Sequence, residues 1–293
     1  MLRAAGEPTR LRLLALLARA ELTVGEICEV LGQSQPRVSR HLKVLSAAGL
    51  LDRFREEHWV YYRVPTQGHA NAVARQVLAL ASSEDEVFVR DQKRMEAVIA
   101  ERARRAAADS LPVVAAKPPE WIASVLSQEI LGRPVGALLD VGTGSGQLLE
   151  ALAPHATRAV GVDISSNALR LARTNVHTAG FSHCELQQGS MYDLPFASAT
   201  FDTATVDRML AAAERPLLAL SELARTLKPG GRLVVIEDFD ALHEALDENP
   251  IMALRQWLSK AGFECKRFHP LDTESKHLLI AVAERASAAS EAA

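Results

Sequence analysis

The sequence predicts two domains, an N-terminal α+β domain of short helices closed by a β-hairpin and a C-terminal α/β domain built on a seven-stranded sheet. Three observations carry this. In the first 66 residues, helical apolar patterns meet at Gly32, and two β-rich segments follow in LLDRFREEHWVYYRV. From residue 120 onward, strand-like and helical segments alternate, the strands being ALLDVG, RAVGVD, HCELQQ, DTATVD, RLVVIED, FECKRFH and HLLIAVAE. Finally, the run LLDVGTGSGQLLEALA from Leu138 to Ala153, followed by AVGVD ending at Asp163, reads as strand, glycine-rich turn, helix and a second strand closing on a carboxylate. At 293 residues the chain is long enough for two cores.

Composition narrows the classes. With 48% hydrophobic and 24% charged residues the chain reads as a globular protein. It shows no apolar stretch of membrane-spanning length and no signal-peptide pattern, so the expected location is cytoplasmic, with no membrane partner. Cys28, Cys184 and Cys265 are odd in number and far apart, which argues against a disulfide framework. The net charge of −3 hides an asymmetry, because the first 66 residues hold ten Arg or Lys against seven Asp or Glu.

Along the N-terminal domain, Pro8 to Arg19 carries Leu11, Leu14, Leu17 and Ala18 at helical spacing. A second helix runs through Val24, Ile27, Val30 and Leu31 to Gly32. Ser34 is placed to cap a third helix, with Pro36 tolerated in its first turn. In that helix Val38, Leu42 and Leu45 share an apolar face, so Gln35, Arg37, Ser39, Arg40 and Lys43 fall on the opposite side with donors for DNA. This is the helix-turn-helix plan, in which the second helix enters the major groove. The hairpin around Glu56, Glu57 and His58 then reads as a wing whose Arg53 and Arg55 reach phosphates.

The wording SQPRVSRHLKVLSAAGLLDRFREEHWVYYRV, with PTRLRLLALL upstream, resembles the ArsR/SmtB family of dimeric repressors over roughly the first 80 residues. The resemblance implies a winged helix-turn-helix bound to double-stranded operator DNA as a homodimer. One departure matters. Where many metal-sensing members carry Cys-x-Cys, this chain reads ELTVGEI with Thr23 and Gly25 in those places, so thiolate ligation is not available there. His58 and His69 lack a partner Asp/His pair at helical spacing, and no metal site is expected. From His69 to Ala81, the stripe Ala70, Val73, Ala74, Val77, Leu78 and Ala81 suits packing against a twin or inside its own domain.

The stretch from Glu84 to Ala108 is charged and Ala-rich and reads as helices leading away, and Pro112, Pro118 and Pro119 break it. The expected divisions are 1–82 winged domain, 83–119 helical linker, 120–286 α/β domain and 287–293 disordered tail.

In the α/β domain, Gly142, Gly144 and Gly146 remove Cβ atoms where backbone meets a ligand. Asp163, about 20 residues on, can take both hydroxyls of a ribose. The dinucleotide fingerprint fails at Gln147, and no Gly-Lys-Ser/Thr phosphate loop is present. Asp140 suits a cationic amino-acid group rather than a pyrophosphate. Seven strands, the last two joined without a long helix, also set the sheet apart from a six-stranded dinucleotide fold.

This pattern resembles the class I S-adenosylmethionine-dependent methyltransferases, whose first motif is two apolar residues, an acid, then G-x-G-x-G. The resemblance extends to LPFASATFD (Leu194 to Asp202) and LKPGGRLVVIED (Leu227 to Asp238). It implies a Rossmann-like sheet and a cofactor, S-adenosylmethionine with product S-adenosylhomocysteine, held by Asp140, Gly142, Thr143, Gly144, Gly146, Asp163, Ile164, Ser190 and Met191. Ser190 stands where the family commonly has Asp for the adenine amino group, and serine binds more weakly. Ile164 offers an apolar face to the adenine ring.

Asp207, after the fourth strand, is the candidate substrate-side carboxylate and equally a candidate capping or surface acid. The Asn/Asp-Pro-Pro-aromatic motif of nucleic-acid amino-methylating enzymes is replaced by TVDRM, which argues against DNA modification. The segments SLPVVAAKPPEWIASVL, with Trp121 alone as an aromatic, and Asp238 to Trp257 are thin for a lid. The expected function is a DNA-binding regulator whose methyltransferase domain acts on a small molecule or senses cofactor. The alternatives are a catalytically inactive cofactor-responsive repressor and a small-molecule methyltransferase with a vestigial or autoregulatory DNA-binding domain.

Overall fold

The computed structural model describes residues 1–81, 85–109, 130, 132–246, 249–272 and 277–287. It divides into two compact units, one of Met1–Val114 with Arg170–Ser182, the other of Ala115–Leu169 with His183–Ala293.

The first unit opens with α1 (Leu2–Ala5) and α2 (Pro8–Leu17), then β1 (Leu22–Thr23), α3 (Val24–Leu31) and α4 (Gln35–Ala47). Pro8 sits in the first turn of α2, and Glu7 accepts the Arg10 amide at 2.9 Å as its cap. The buried face of α2 is Leu13, Leu14, Leu16 and Leu17, with Leu11 only half-buried, so the stripe is shifted from the expected one. A capping box starts α3, the Thr23 side chain accepting from Glu26 N while the Glu26 carboxylate accepts the Thr23 amide. Gly32 ends α3 in the left-handed conformation at φ +63°. Ser34 stands at the N-cap of α4 but its side chain makes no capping hydrogen bond, contrary to expectation.

Strands β2 (Asp52–Glu56) and β3 (Trp59–Arg63) form the predicted hairpin, and β3 also pairs with β1. Helix α5 (Gly68–Ala79) buries Ala74 and lays Val73, Val77 and Leu78 on the core of its own unit. Helix α6 (Glu86–Asp109), within the span read as a linker, packs on α2 and α3 and contributes Met95, Val98 and Ile99 to that core. The prolines at 112, 118 and 119, Trp121 and the tail after residue 287 lie outside the described residues.

Residues Arg170–Ser182 cluster with this unit and bring in its most buried ionic group. The Arg173 guanidinium, 2% exposed, forms a bidentate pair with Glu56 at 2.9 and 2.5 Å and meets Glu21 at 2.7 Å. It also lies 4.2 Å from the centre of the Tyr61 ring. Burial opposes its charge, but Glu21 and Glu56 outweigh it and raise the guanidinium pKa above its usual value.

The second unit holds β4 (Gly136–Val141), α7 (Gln147–Leu152), β5 (Ala156–Asp163), the start of α8 (Ser166–Thr178), β6 (Cys184–Gln188), β7 (Phe201–Asp207), α9 (Pro216–Thr226) and β8 (Leu227–Asp238). Then come α10 (Phe239–Ala245), α11 (Pro250–Lys260), β9 (Phe263–Asp272) and β10 (His277–Arg285). The seven strands run in the order β6-β5-β4-β7-β8-β10-β9, parallel except for β10, which is antiparallel to β8 and β9. Leu139, Val141, Val160, Val162, Val206 and Val235 bury the centre, as the unbroken apolar runs require for strands covered on both faces. Ligands in such sheets bind beyond the carboxyl ends of the strands, which brings together the ends of β4, β5, β7 and β8. Among the described residues, no helix is long and apolar enough to cross a membrane.

Candidate functional site

At the end of β4 the chain turns through Gly142, Gly144 and Gly146, all at positive φ (73°, 55° and 82°). The turn is tied to β5, since Val162 O accepts from Gly142 N at 2.8 Å and Thr143 N at 3.0 Å. The glycines differ in what they make room for. A Cβ on Gly142 would lie 2.6 Å from Met209 Sδ, whereas one on Gly144 meets nothing closer than 4.0 Å. Gly142 therefore makes room for a side chain, and Gly144 leaves open space beside the crevice.

The β4–β7 register sets Asp140 opposite Thr205, and the Thr205 hydroxyl donates to Asp140 Oδ1 at 2.6 Å. Thr143 donates to Oδ2 at 2.7 Å. The carboxylate is 1% exposed, and burial pushes its pKa up to about 6, with Asp207 and Asp163 adding to the rise. At the end of β5 the Asp163 carboxylate accepts Gly144 N on Oδ2 and Ser165 N on Oδ1, each at 2.8 Å. Each oxygen keeps a further lone pair for a ligand hydroxyl. Ile164 beside it is 71% exposed, an apolar surface open to a ring. Ser190 Oγ accepts the Tyr192 amide at 3.2 Å and still has its proton to donate, while Met191 is half-buried against the core. A crevice of 270 Å³ is lined by Asp140, Gly142, Thr143, Gly144, Asp207 and Arg208 among others.

Asp207 ends β7, where Arg208 closes on it with two hydrogen bonds of 2.9 and 2.8 Å. Arg208 is one of three non-glycine residues at positive φ among the described residues. Next to it, Glu237 at the end of β8 is wholly buried, and burial raises its pKa to about 7 against the pull of three backbone amides, with Asp207 adding to the rise. Sequence reading passed over Arg208, Met209 and Glu237. For Glu237 a signal existed, an acid closing the apolar run LVVI at a strand end.

On the first unit, Gln35, Arg37, Ser39, Arg40 and Lys43 are all exposed, while Val38, Leu42 and Leu45 are fully buried on the other face of α4. Arg53 and Arg55 are exposed on β2, with the Arg55 guanidinium donating to Glu57 O at 2.8 Å at the hairpin turn. Glu56 faces inward to Arg173 instead of joining the exposed turn.

With the geometry in place, the likenesses become specific. Residues 7–53 match the model of bacterial regulatory proteins of the arsR family. Residues 139–235 match a methyltransferase domain. The chain joins an arsR-type helix-turn-helix to a methyltransferase domain. A phosphatidylethanolamine N-methyltransferase from Cereibacter sphaeroides is 32% identical over 126 residues, 43% of this chain and 59% of that protein. A demethylmenaquinone methyltransferase from Bacillus subtilis is 37% identical over 102 residues, 34% of this chain and 44% of that one. The chain thus spans less than two thirds of either relative's length. A crystal structure of the [4+2]-cyclase SpnF superposes with a TM-score of 0.50 at 18% identity, covering 67% of this chain and 96% of that one, which shows the fold. That protein is a cyclase by name, so the fold alone does not fix the reaction.

The methyltransferase fold implies use of S-adenosylmethionine, and the residues present fit that group. Asp163 keeps lone pairs for ribose hydroxyls, Ile164 offers an apolar face, Gly144 leaves room, and the acids around the crevice suit a cation.

Proposed function

We propose that the protein is a DNA-binding transcriptional regulator whose methyltransferase domain binds S-adenosylmethionine and S-adenosylhomocysteine and methylates a small molecule. The observation that carries this is the crevice beneath the glycine turn, lined by Asp140, Gly142, Thr143 and Gly144, with the Asp163 carboxylate tied to the same turn through Gly144 N, on a chain that also presents a recognition-helix face of donors. When bound, the cofactor supplies a methyl group on a sulfonium, which passes to a nucleophile as the electrons of the carbon–sulfur bond return to sulfur. The chain's own contribution is alignment and exclusion of water.

Asp140, Gly142, Thr143, Gly144, Gly146, Asp163, Ile164, Ser190 and Met191 would hold the cofactor. Gln35, Arg37, Ser39, Arg40 and Lys43 would face the major groove, and Arg53 and Arg55 the phosphates. The two relatives are named for methylating phosphatidylethanolamine and demethylmenaquinone, neither of them a macromolecule, which supports a small-molecule acceptor here. A homodimer is supported by the apolar groove between α2, α5 and α6, flanked by Leu2 at 71% and Leu80 at 88% exposure. Sedimentation equilibrium tests it.

A second reading, a cofactor sensor without turnover, is favoured by the closure of Arg208 on Asp207, which occupies the acid named as the candidate substrate-side carboxylate. The test is fluorescence anisotropy of the full chain on its own promoter, at stated salt, with and without each cofactor form. A shift in operator affinity with either ligand is expected. Tight operator binding indifferent to both would refute cofactor sensing and leave the enzyme, and absence of operator binding would refute the regulator.

A further inference from the structure

The sheet order places β7 and β8 on the side of β4 away from β5. On the cofactor reading above, on which this inference rests, the adenosyl end lies toward Asp163 on β5. The sulfur end would then face the ends of β7 and β8. What stands there is the segment Asp207 to Ala211. It leaves β7 through Arg208, whose left-handed backbone (φ +52°) turns its amide onto Ile236 O at 2.7 Å. The next three amides converge on one side chain. Glu237 Oε1 accepts from Met209 at 3.0 Å and Leu210 at 2.7 Å, and Oε2 accepts from Ala211 at 3.4 Å.

A fully buried carboxylate is costly unless its lone pairs are used, and here the main chain of this segment uses them. The segment in turn presses Met209 onto Gly142, where a Cβ would come within 2.6 Å of Sδ and 2.7 Å of Cγ. A continuous path of contacts therefore runs from Glu237 through the amides to Met209 and to the first glycine of the turn.

We propose that Glu237 is a positioning residue that, by holding the amides of 209–211, sets Met209 against Gly142 and orients the Asp207–Arg208 pair at the sulfur end of the crevice. It touches neither ligand and acts through the segment it anchors. Loss of this anchor changes how the site tells the two cofactor forms apart, because they differ at sulfur, whereas general damage weakens both alike.

The experiment is calorimetric titration of the full chain with S-adenosylmethionine and with S-adenosylhomocysteine, for wild type, Glu237→Gln and Met209→Ala, with circular dichroism to confirm folding. Met209→Ala keeps every charge, so it separates the segment's position from a change in local field, and it decides the matter if Glu237→Gln does not fold. The expected result is a change of about fivefold or more in the ratio of the two dissociation constants in each folded variant. A ratio unchanged in Met209→Ala, both ligands being bound or weakened equally, overturns the proposal while leaving the cofactor reading intact. A wild-type protein that binds neither ligand overturns both.

Discussion

Replacing Arg173 with Met tests whether the buried ionic group holds the first unit together. The change keeps much of the stem's apolar volume but removes the charge from between Glu56, 2% exposed, and Glu21, 9% exposed. Glu21 retains Arg63 at 2.7 Å, so the larger loss falls on Glu56, which gives up both bonds of its bidentate pair with Arg173. Breaking a buried pair from one side costs about 3–5 kcal/mol because the remaining charge is left desolvated. The cation–π contact over Tyr61, at 4.2 Å, adds about 1 kcal/mol. With a urea dependence of about 2 kcal/mol per molar, a loss of about 4 kcal/mol lowers the unfolding midpoint by about 2 M. Urea titration followed by tryptophan emission is a suitable assay, since Trp59 lies on β3 with the Arg170 guanidinium 5.8 Å from its ring. The double variant Arg173→Met, Glu56→Gln should recover most of the loss, because the carboxylate that gives up its bidentate pair is then neutral while Glu21 keeps Arg63. A midpoint shift below about 0.5 M for the single variant would refute the argument that this pairing is a major stabiliser.

Arg40→Ala should weaken operator binding by about 1–3 kcal/mol, read by anisotropy, if its exposed guanidinium meets a base edge; unchanged affinity removes it from the recognition surface. Asp163→Ala should weaken S-adenosylhomocysteine binding about 10- to 100-fold by calorimetry, since two charge-assisted contacts to ribose are lost and the amides of Gly144 and Ser165 lose their acceptor. Retained affinity would place the ribose elsewhere. Gly142→Ala should cost about 2–4 kcal/mol of stability, from a left-handed backbone at φ +73° and the clash with Met209. Adding Met209→Ala should restore the part due to the clash, and no restoration would show that backbone strain is the whole cost.

The fold was largely legible because its signals are local and periodic. Val38, Leu42 and Leu45 repeat at helical spacing and are buried on one face of α4, and the apolar runs around Leu139, Val160 and Val235 are the strands they appear to spell. The capping box at Thr23 and Glu26 was also readable, being an S/T-x-x-E pattern before an apolar run, and it sets the start of α3 where Val24 had suggested it. What escaped was long-range or conditional. Glu56 looked like a polar residue of the hairpin turn, and nothing near it announces a partner 117 positions away in Arg173. The glycine spacing marks Gly142 as clearing space for a ligand, and it does line the crevice, but it also makes room for Met209, which strand order and not neighbourhood in sequence brings in. The stripe on α5 fitted an internal core and a twin subunit equally, since periodicity reports that a face is apolar and not what covers it.

Cofactor sensing requires that the two forms bind with different free energy, and the charge around the crevice supplies a source for that difference. Asp140, Asp163, Asp207 and Glu237 gather at the strand ends, and the guanidinium lining the crevice, Arg208, is closed on Asp207. A sulfonium is favoured by this field and a neutral thioether is not, by about 1–3 kcal/mol at an effective dielectric near 20. Two of these acids titrate within reach of neutrality, Asp140 raised by burial to about 6 and Glu237 to about 7. The charged groups facing them are Asp163 and Asp207 for Asp140, and Asp207 and Arg208 for Glu237. A bound cation favours the ionised carboxylates, so its binding releases protons, and its affinity must rise with pH across this window. The preference for S-adenosylmethionine over S-adenosylhomocysteine should therefore fall several-fold, by about 1 kcal/mol or more, as pH is lowered from 8 to about 5.5. Calorimetric titration of both ligands at the two pH values reads it directly, because ionisations shared by the two complexes cancel in the ratio. A ratio that does not move with pH would mean that these buried acids do not feel the charge on sulfur, and discrimination would then have to come from shape at Met209 and Gly142.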